Sequence, residues 1–334
     1  MSPTSYQLLY RAICQSKLFF YTSRQAKQFT FQYWLSIKVM HRSLLLTGLT
    51  LICLPFFSLA SQNTKGYQWP IDTERKLQIS STFAESRIDH FHNGVDIPGS
   101  GLKVRPVHSG RVVWMTQARS LPGELPFGGG KTILVEHGDT WSGYMHLSDI
   151  EPQIYKNSMV KDSESLGISG NTGHSGGAHL HFFIFQPEKN IMYNPLLILD
   201  EKYYTDNKQP EILEYAAAID DQSSIFKAEK EILLSQDFPI LAKILDRGVS
   251  SERWGVYSLK ISRSNRTLVR TFDKLQYKDG YWRDNNGDSF ENVYFKNYLI
   301  LGTGFRENPD FSLQASGLRG PGLEKNINLK IKRK

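Results

Sequence analysis

The stretch GGAHLHF, residues 176–182, sets two imidazoles either side of a leucine. In an extended strand residues two apart share a face, so His179 and His181 project together while Leu180 points the other way. That is a geometry for sharing one site, although a strand carrying two ordinary histidines reads the same in isolation. The rest of the chain weighs on the choice. Of nine histidines, eight fall between positions 90 and 181: His90, His92, His108, His137, His146, His174, His179 and His181. Such clustering points to a metal or proton-transfer site.

Upstream, HFHNGVDIPG places His92 four residues before Asp96. A helix would bring both to one face, but Gly94, Val95, Ile97 and Pro98 are poor helix formers. A fully extended strand would separate their Cα atoms by ~13 Å, too far for two ligands each ~2 Å from one ion. Asn93-Gly94, a favoured turn pair, is therefore expected to bend the chain. His92, Asp96 and one histidine of the HLH pair would then form a three-ligand set with a fourth position left for water, the arrangement of a catalytic zinc site. The other HLH imidazole and His146, in GYMHLS, remain for proton transfer and charge stabilisation. Both cysteines, Cys14 and Cys53, lie in the first sixty residues. A metal site further along must be built from histidines and carboxylates.

The elements that must position these residues read as β. From 76 to 200 short apolar runs (LQISSTF, VDI, RVVWM, TILVEHG, GYMHLS, HLHFFIF) are broken by glycine, the pattern of an antiparallel sheet. QARSLPGELPFGGG, 117–130, is a loop of the length used for binding-site walls, and the glycine-rich loop 167–178 feeds into the HLH strand. Residues 61–75 form a polar lead-in. Polar residues 201–210 mark a linker. Beyond it, 211–334 alternates in the same manner and is expected to form a smaller β-sandwich-like accessory domain, with WGVYSLKIS and RTLVRTF joined as a hairpin; EILEYAAAI at 211–219 also allows a helical turn. This second region holds no cluster of histidines and is expected to bind or position.

The 334 residues carry a formal charge of +7, but the first sixty contain six Lys or Arg and no acid, so removing them leaves +1. A nearly neutral body argues against a nucleic-acid partner. Met40 precedes His41-Arg42, an apolar run from Leu44 to Phe57, and Ser58-Leu59-Ala60. This reads as a signal peptide over 40–60, with 1–39 an upstream extension or a misplaced start, and the run is shorter than the ~20 residues of a spanning helix.

HFHNGVD, GYMHLS and SGNTGHSGGAHLHF, in that order, resemble the HxxxD, xHL and HxH motifs of the M23 (LytM/lysostaphin-type) zinc metallopeptidases, which cleave peptide bonds in bacterial peptidoglycan. ISSTF before HFH, GGG followed by ILVEHG, and YNPL after the HLH strand extend the resemblance across about 76–200. It implies one zinc ion on His92, Asp96 and His181, with His146 and His179 as catalytic non-ligands. His179 is the candidate general base and His146 the candidate partner of the developing oxyanion, and the sequence does not separate the two roles. It also implies a mostly antiparallel sheet forming a groove, peptidoglycan peptides as substrate, and export to the periplasm or cell envelope, with an envelope protein as a further partner for the accessory domain.

Three positions depart from the family pattern: Phe183 where Glu commonly follows HLHF, Ala84 where Gly is usual, and Met145 in place of a small residue. His90, His108, His137 and His174 have no part in the motifs and are expected in loops or around the site. Two other functions are weighed against the peptidase: a non-catalytic M23-like scaffold that activates other wall hydrolases, which ordinarily lacks ligands present here, and a non-haem iron oxygenase with a two-His, one-carboxylate triad, which lacks its HxD pattern here.

Overall fold

The computed structural model describes residues 66–73, 77–117, 128–218, 225–228, 231–234, 237–263, 266–303, 311–327 and 330–333. The signal-peptide reading of 40–60, the extension 1–39 and the middle of the 117–130 loop lie outside the described residues. Those described belong to one compact unit. None of their helices is long and apolar enough to cross a membrane.

The fold is mainly β and largely antiparallel, as the glycine-broken runs predict. Nine strands come from the first half: β1 (Val95–Pro98), β2 (Lys103–Val104), β3 (Gly110–Thr116), β4 (Lys131–His137), β5 (Thr140–Ile150), β6 (Met159–Val160), β7 (Gly167–Ser169), β8 (His179–Gln186) and β9 (Ile191–Tyr193). The central order is β9-β8-β5-β4-β3-β6, with β1 on β8, β7 on β5 and β2 on β7. β8 is the axis. Its first half lies between β1 and β5, and its second half between β9 and β5.

Alternation along β8 sorts its two faces. Leu180, Phe182 and Ile184 enter one core with Val95 and Ile97 of β1, Val112 of β3, Ile133 and Val135 of β4, and Tyr144 and Leu147 of β5. Each such side chain contributes roughly 1.5–3 kcal/mol when removed from water. His179, His181, Phe183 and Phe185 take the opposite face, so the period-two reading of HLHFFIF holds.

The C-terminal residues build smaller sheets and also extend this one. Lys274–Lys278 pairs with β9 and carries Tyr281–Arg283 outward from it. Trp254 is buried in the same core as β8. Separately, Ser258–Arg263 and Arg266–Thr271 form the expected hairpin within a four-stranded sheet completed by Phe311–Ser316 and Leu323–Ile327. Glu211–Ala218 is a strand, resolving the strand-or-helix ambiguity of EILEYAAAI, and pairs with Ile225–Ala228 and Ile240–Arg247. Within 201–210, the 3-10 turn Glu201–Tyr203 leads into Tyr204, which is buried in the main core.

Candidate metal centre

Register places the first two ligand candidates. Asp96 stands directly opposite His181 across β1 and β8, and paired residues share a face. His92 reaches them because the chain bends at Gly94 just before β1. The bend is the one the spacing demands, but the need for glycine is a matter of approach. A Cβ at Gly94 would fall 2.9 Å from His181 Nε2 and against the Phe182 carbonyl.

His146 arrives by a different device. Lys131 pairs with Leu147 and Ile133 with Tyr144, so Thr132 alone opposes both Met145 and His146. This β-bulge puts Tyr144 and Leu147, three apart, on the same core and frees His146 to face the other way. His146 takes φ 63°, a left-handed conformation that costs a non-glycine residue on the order of 1–2 kcal/mol. The surroundings hold it there: its N–H donates to the Gly129 carbonyl at 2.8 Å and its ring Nδ1 to the Thr172 carbonyl at 2.8 Å. Its ring centroid lies 4.7 Å from that of His179 and 6.1 Å from that of His181.

The three central atoms form a tight triangle. His92 Nε2 is 3.1 Å from Asp96 Oδ1 and 3.0 Å from His181 Nδ1, and Asp96 Oδ1 is 2.8 Å from His181 Nδ1. Among the described residues, His92, Asp96 and His181 are the set whose ligand atoms converge enough to hold one metal ion. Ligands ~2.0–2.1 Å from a tetrahedral zinc stand about 3.3 Å apart, close to these edges.

Protonation sharpens the fit. A carbonyl only accepts, so His92 Nδ1, 2.7 Å from the Thr82 carbonyl, carries the proton, and Nε2 points a lone pair at the Asp96 carboxylate. Two lone pairs 3.1 Å apart in a buried site call for a cation between them. Burial lowers the pKa of His92 and pushes His181 down to about 4 and His146 down to about 3. Burial works to raise Asp96, but His92 beside it and hydrogen bonds with His181 and His92 hold it well below the usual carboxylate range. Neutral imidazoles and an ionised carboxylate are the forms that bind a divalent metal.

His179 Nε2 lies 3.6 Å from Asp96 Oδ1, while its Nδ1 donates to the Gly177 carbonyl at 2.8 Å. Its side chain is 16% exposed, against 5–8% for His92, Asp96 and His181, so the cluster opens to solvent on that side. All five candidates from the sequence therefore meet in one place. The other histidines do not join them: His90 pairs with the Asp89 carboxylate, His137 bonds Ser142 Oγ at 2.7 Å, His108 packs near Tyr67, and His174 docks its backbone N–H on the Gly128 carbonyl.

Sequence reasoning missed the supports. Arg87 donates to Asp96 Oδ2 at 2.6 Å, Thr82 orients His92, and Thr172 orients His146. Thr82 sits within the quoted ISSTF, the one available signal. Ala84, where glycine is usual, takes φ 61°, so the family preference has a backbone cause. Phe183 lies across Gly143, where a Cβ would collide with its ring, and Met145 is buried opposite His181.

Fold and site together define an antiparallel β domain with a buried His-Asp-His cluster of the kind that holds a catalytic metal. Residues 90–195 match Peptidase family M23. The chain is 33% identical over 123 residues to the peptidoglycan DD-endopeptidase ShyA of Vibrio cholerae, covering 34% of this chain and 26% of that protein. It is 26% identical over 209 residues to the glycyl-glycine endopeptidase ALE-1 of Staphylococcus capitis, covering 61% of this chain and 53% of ALE-1. A solved zinc-containing peptidase from Vibrio cholerae aligns at 27% identity over 36% of each chain, with a TM-score of 0.30. The chain thus spans between about a quarter and a half of the length of these two curated relatives.

Proposed function

We propose that this protein is an exported zinc metalloendopeptidase that hydrolyses peptide bonds in peptidoglycan, with His92, Asp96 and His181 as metal ligands and His146 and His179 as catalytic histidines. The observation that carries the reading is the 2.8–3.1 Å triangle of ligand atoms with two further imidazoles beside it. The names of the relatives support the substrate class, and the signal-peptide reading of 40–60 supports export to the periplasm or envelope. We read 211–334 as an accessory β region joined through 201–210.

Zinc, when bound, supplies Lewis acidity that activates water near neutral pH and polarises a carbonyl. The protein's own part follows from tautomers. His146 and His179 both commit Nδ1–H to backbone carbonyls, so each ring, in its neutral form, offers a lone pair at Nε2. A water attacking the scissile carbonyl has two O–H groups, and these two Nε2 atoms accept them and aim its oxygen. His179, beside Asp96, takes the proton as general base and returns it to the leaving amine. His146 can donate to a developing oxyanion only after Nε2 has gained a proton, so its first task is as an acceptor. Asp96 keeps the ligand set at a single negative charge while Arg87 holds its second oxygen.

The test is release of peptide fragments from purified peptidoglycan, with and without chelator, beside His181→Ala. Chelator-sensitive release that vanishes in the variant is expected, and the product ends identify the bond cut. A folded, zinc-loaded protein that releases nothing would overturn the reading in favour of a non-catalytic scaffold.

A further inference from the structure

The metal set is supported from outside the matched peptidase region. The loop 79–91 precedes β1 and contacts two of the three ligands, His92 and Asp96. It pairs with β1 through Ser80 N–H to the Asp96 carbonyl at 2.9 Å and Asp96 N–H to the Ser81 carbonyl at 3.1 Å. It supplies the Thr82 carbonyl to His92 and the Arg87 guanidinium to Asp96.

That loop is in turn gripped by the C-terminal segment 254–296. Trp254 Nε1 donates to the Ile79 carbonyl at 2.6 Å. Gly255 N–H donates to Thr82 Oγ1 at 3.0 Å and approaches Glu85 Oε2 at 3.3 Å. Tyr294 OH donates to the Ala84 carbonyl at 3.3 Å, and Ser86 Oγ bonds the Lys296 carbonyl. Phe91, the residue before His92, is packed by Phe290 and Tyr294 with ring centroids at 5.3 and 6.0 Å.

Glu85 is the junction of these contacts. One carboxylate oxygen receives Thr82 N–H at 3.0 Å and Thr82 Oγ1 at 3.3 Å as well as Gly255 N–H, and the other lies 3.7 Å from Arg87. It touches both arms of the support, the one that orients His92 and the one that holds Asp96. Gly255 is glycine because a Cβ there would fall 2.7 Å from Glu85 Cβ and 3.0 Å from its Cα.

We propose that Glu85 and Gly255 are positioning residues of the metal centre, through which the C-terminal segment holds the 79–91 loop and so sets the site's affinity for metal. The proposal rests on the metal reading of His92, Asp96 and His181. It makes the C-terminal region a structural part of the site. Partners that orient metal ligands are typically worth 10–100-fold in affinity.

The test measures zinc affinity of the full-length protein by competition with a chromophoric chelator, together with the visible spectrum of the cobalt-substituted form. Glu85→Ala and Gly255→Val are expected to weaken zinc binding about 10–100-fold and to alter the cobalt spectrum, while Glu85→Gln, which keeps an acceptor toward Thr82 and Gly255, restores most of the affinity. Leu313→Ala serves as a control for stability alone, because Leu313 is fully buried in the separate four-stranded sheet. It is expected to lower Tm with zinc affinity unchanged. If Glu85→Ala and Gly255→Val remain folded and bind zinc as the parent does, the proposal is wrong. It is equally wrong if Leu313→Ala weakens zinc as much as they do. A parent protein that binds no zinc, or a His181→Ala variant that binds it as tightly as the parent, would instead remove the metal reading and this proposal with it.

Discussion

Asp96 and His181 face each other in direct register across β1 and β8, Oδ1 to Nδ1 at 2.8 Å, so strand pairing itself assembles two-thirds of the candidate metal set. Only His92 depends on loop geometry. The division bears on which substitutions remove metal and which remove turnover.

Replacing His181 by Ala or Asp96 by Asn should abolish stoichiometric zinc. The three ligand atoms share one buried point, and two are too few to enclose zinc tetrahedrally there. Metal analysis after gel filtration is expected to show about one ion per chain in the parent and almost none in either variant. His174→Ala, outside the set, should keep its zinc. Retention of a full ion by His181→Ala would mean that the ligands have been misassigned.

Loss of His146 or His179 should instead separate binding from catalysis. Neither supplies an atom to the triangle, and each presents Nε2 beside it. Single alanine variants are expected to bind zinc within a few-fold of the parent while kcat falls about 10²–10⁴-fold, the usual worth of a general acid or base. The double variant should lose little more than the worse single, because both act on one water. Independent, multiplicative losses would argue for two unrelated roles.

Acid should destabilise the metal-free protein in a definite window. His90, His137 and His181 are held near 4 and His146 near 3, against an ordinary 6.5, and His92 is lowered too, in each case first of all by burial. The unfolded chain therefore binds more protons between about pH 6.5 and 4, and stability falls as pH falls through that range. Asp96 acts in the same direction at lower pH: its stabilising share is present above 3.8 and fades as pH drops toward its depressed value. Unfolding free energies from urea titrations of the chelated protein at pH 7, 6, 5 and 4 should decline with a slope reaching about four protons. A flat profile above pH 4.5 would show that these rings are not buried neutral.

What the sequence disclosed and what it hid follow one physical rule. Period-two alternation is local, so the faces of HLHFFIF were legible, and so was the bend required between His92 and Asp96. The bulge at His146 was not, because uninterrupted alternation in GYMHLS would align His146 with Tyr144 on the core face. The extra residue opposite Thr132 is visible only once β4 and β5 are paired. Partners distant in sequence were equally hidden. Nothing local in KLQYK says that it adds to β9, some eighty residues earlier, or that Gly255 will meet Glu85. The Asn93-Gly94 pair reads locally as a turn former, whereas the glycine is dictated by the closeness of His181 and Phe182.

That last point carries its own consequence. Gly94→Ala adds one methyl group whose position lies 2.9 Å from His181 Nε2 and against the Phe182 carbonyl. Neither neighbour can move cheaply: His181 is in register with Asp96 on one side and Met145 on the other, and the Phe182 carbonyl belongs to the central strand. The strain must separate β1 from β8, which carries Asp96 away from His181. Overpacking of this kind costs typically 1–3 kcal/mol. Gly94→Ala is therefore expected to lower Tm and weaken zinc binding together, whereas Gly176→Ala, where a Cβ meets nothing within 4 Å, should change neither. Thermal melts with and without added zinc check this, because a variant whose ligands have been spread apart should gain less from the metal than the parent does. An unchanged zinc-induced shift in Gly94→Ala would show that β1 tolerates the methyl and that glycine is there for the bend after all.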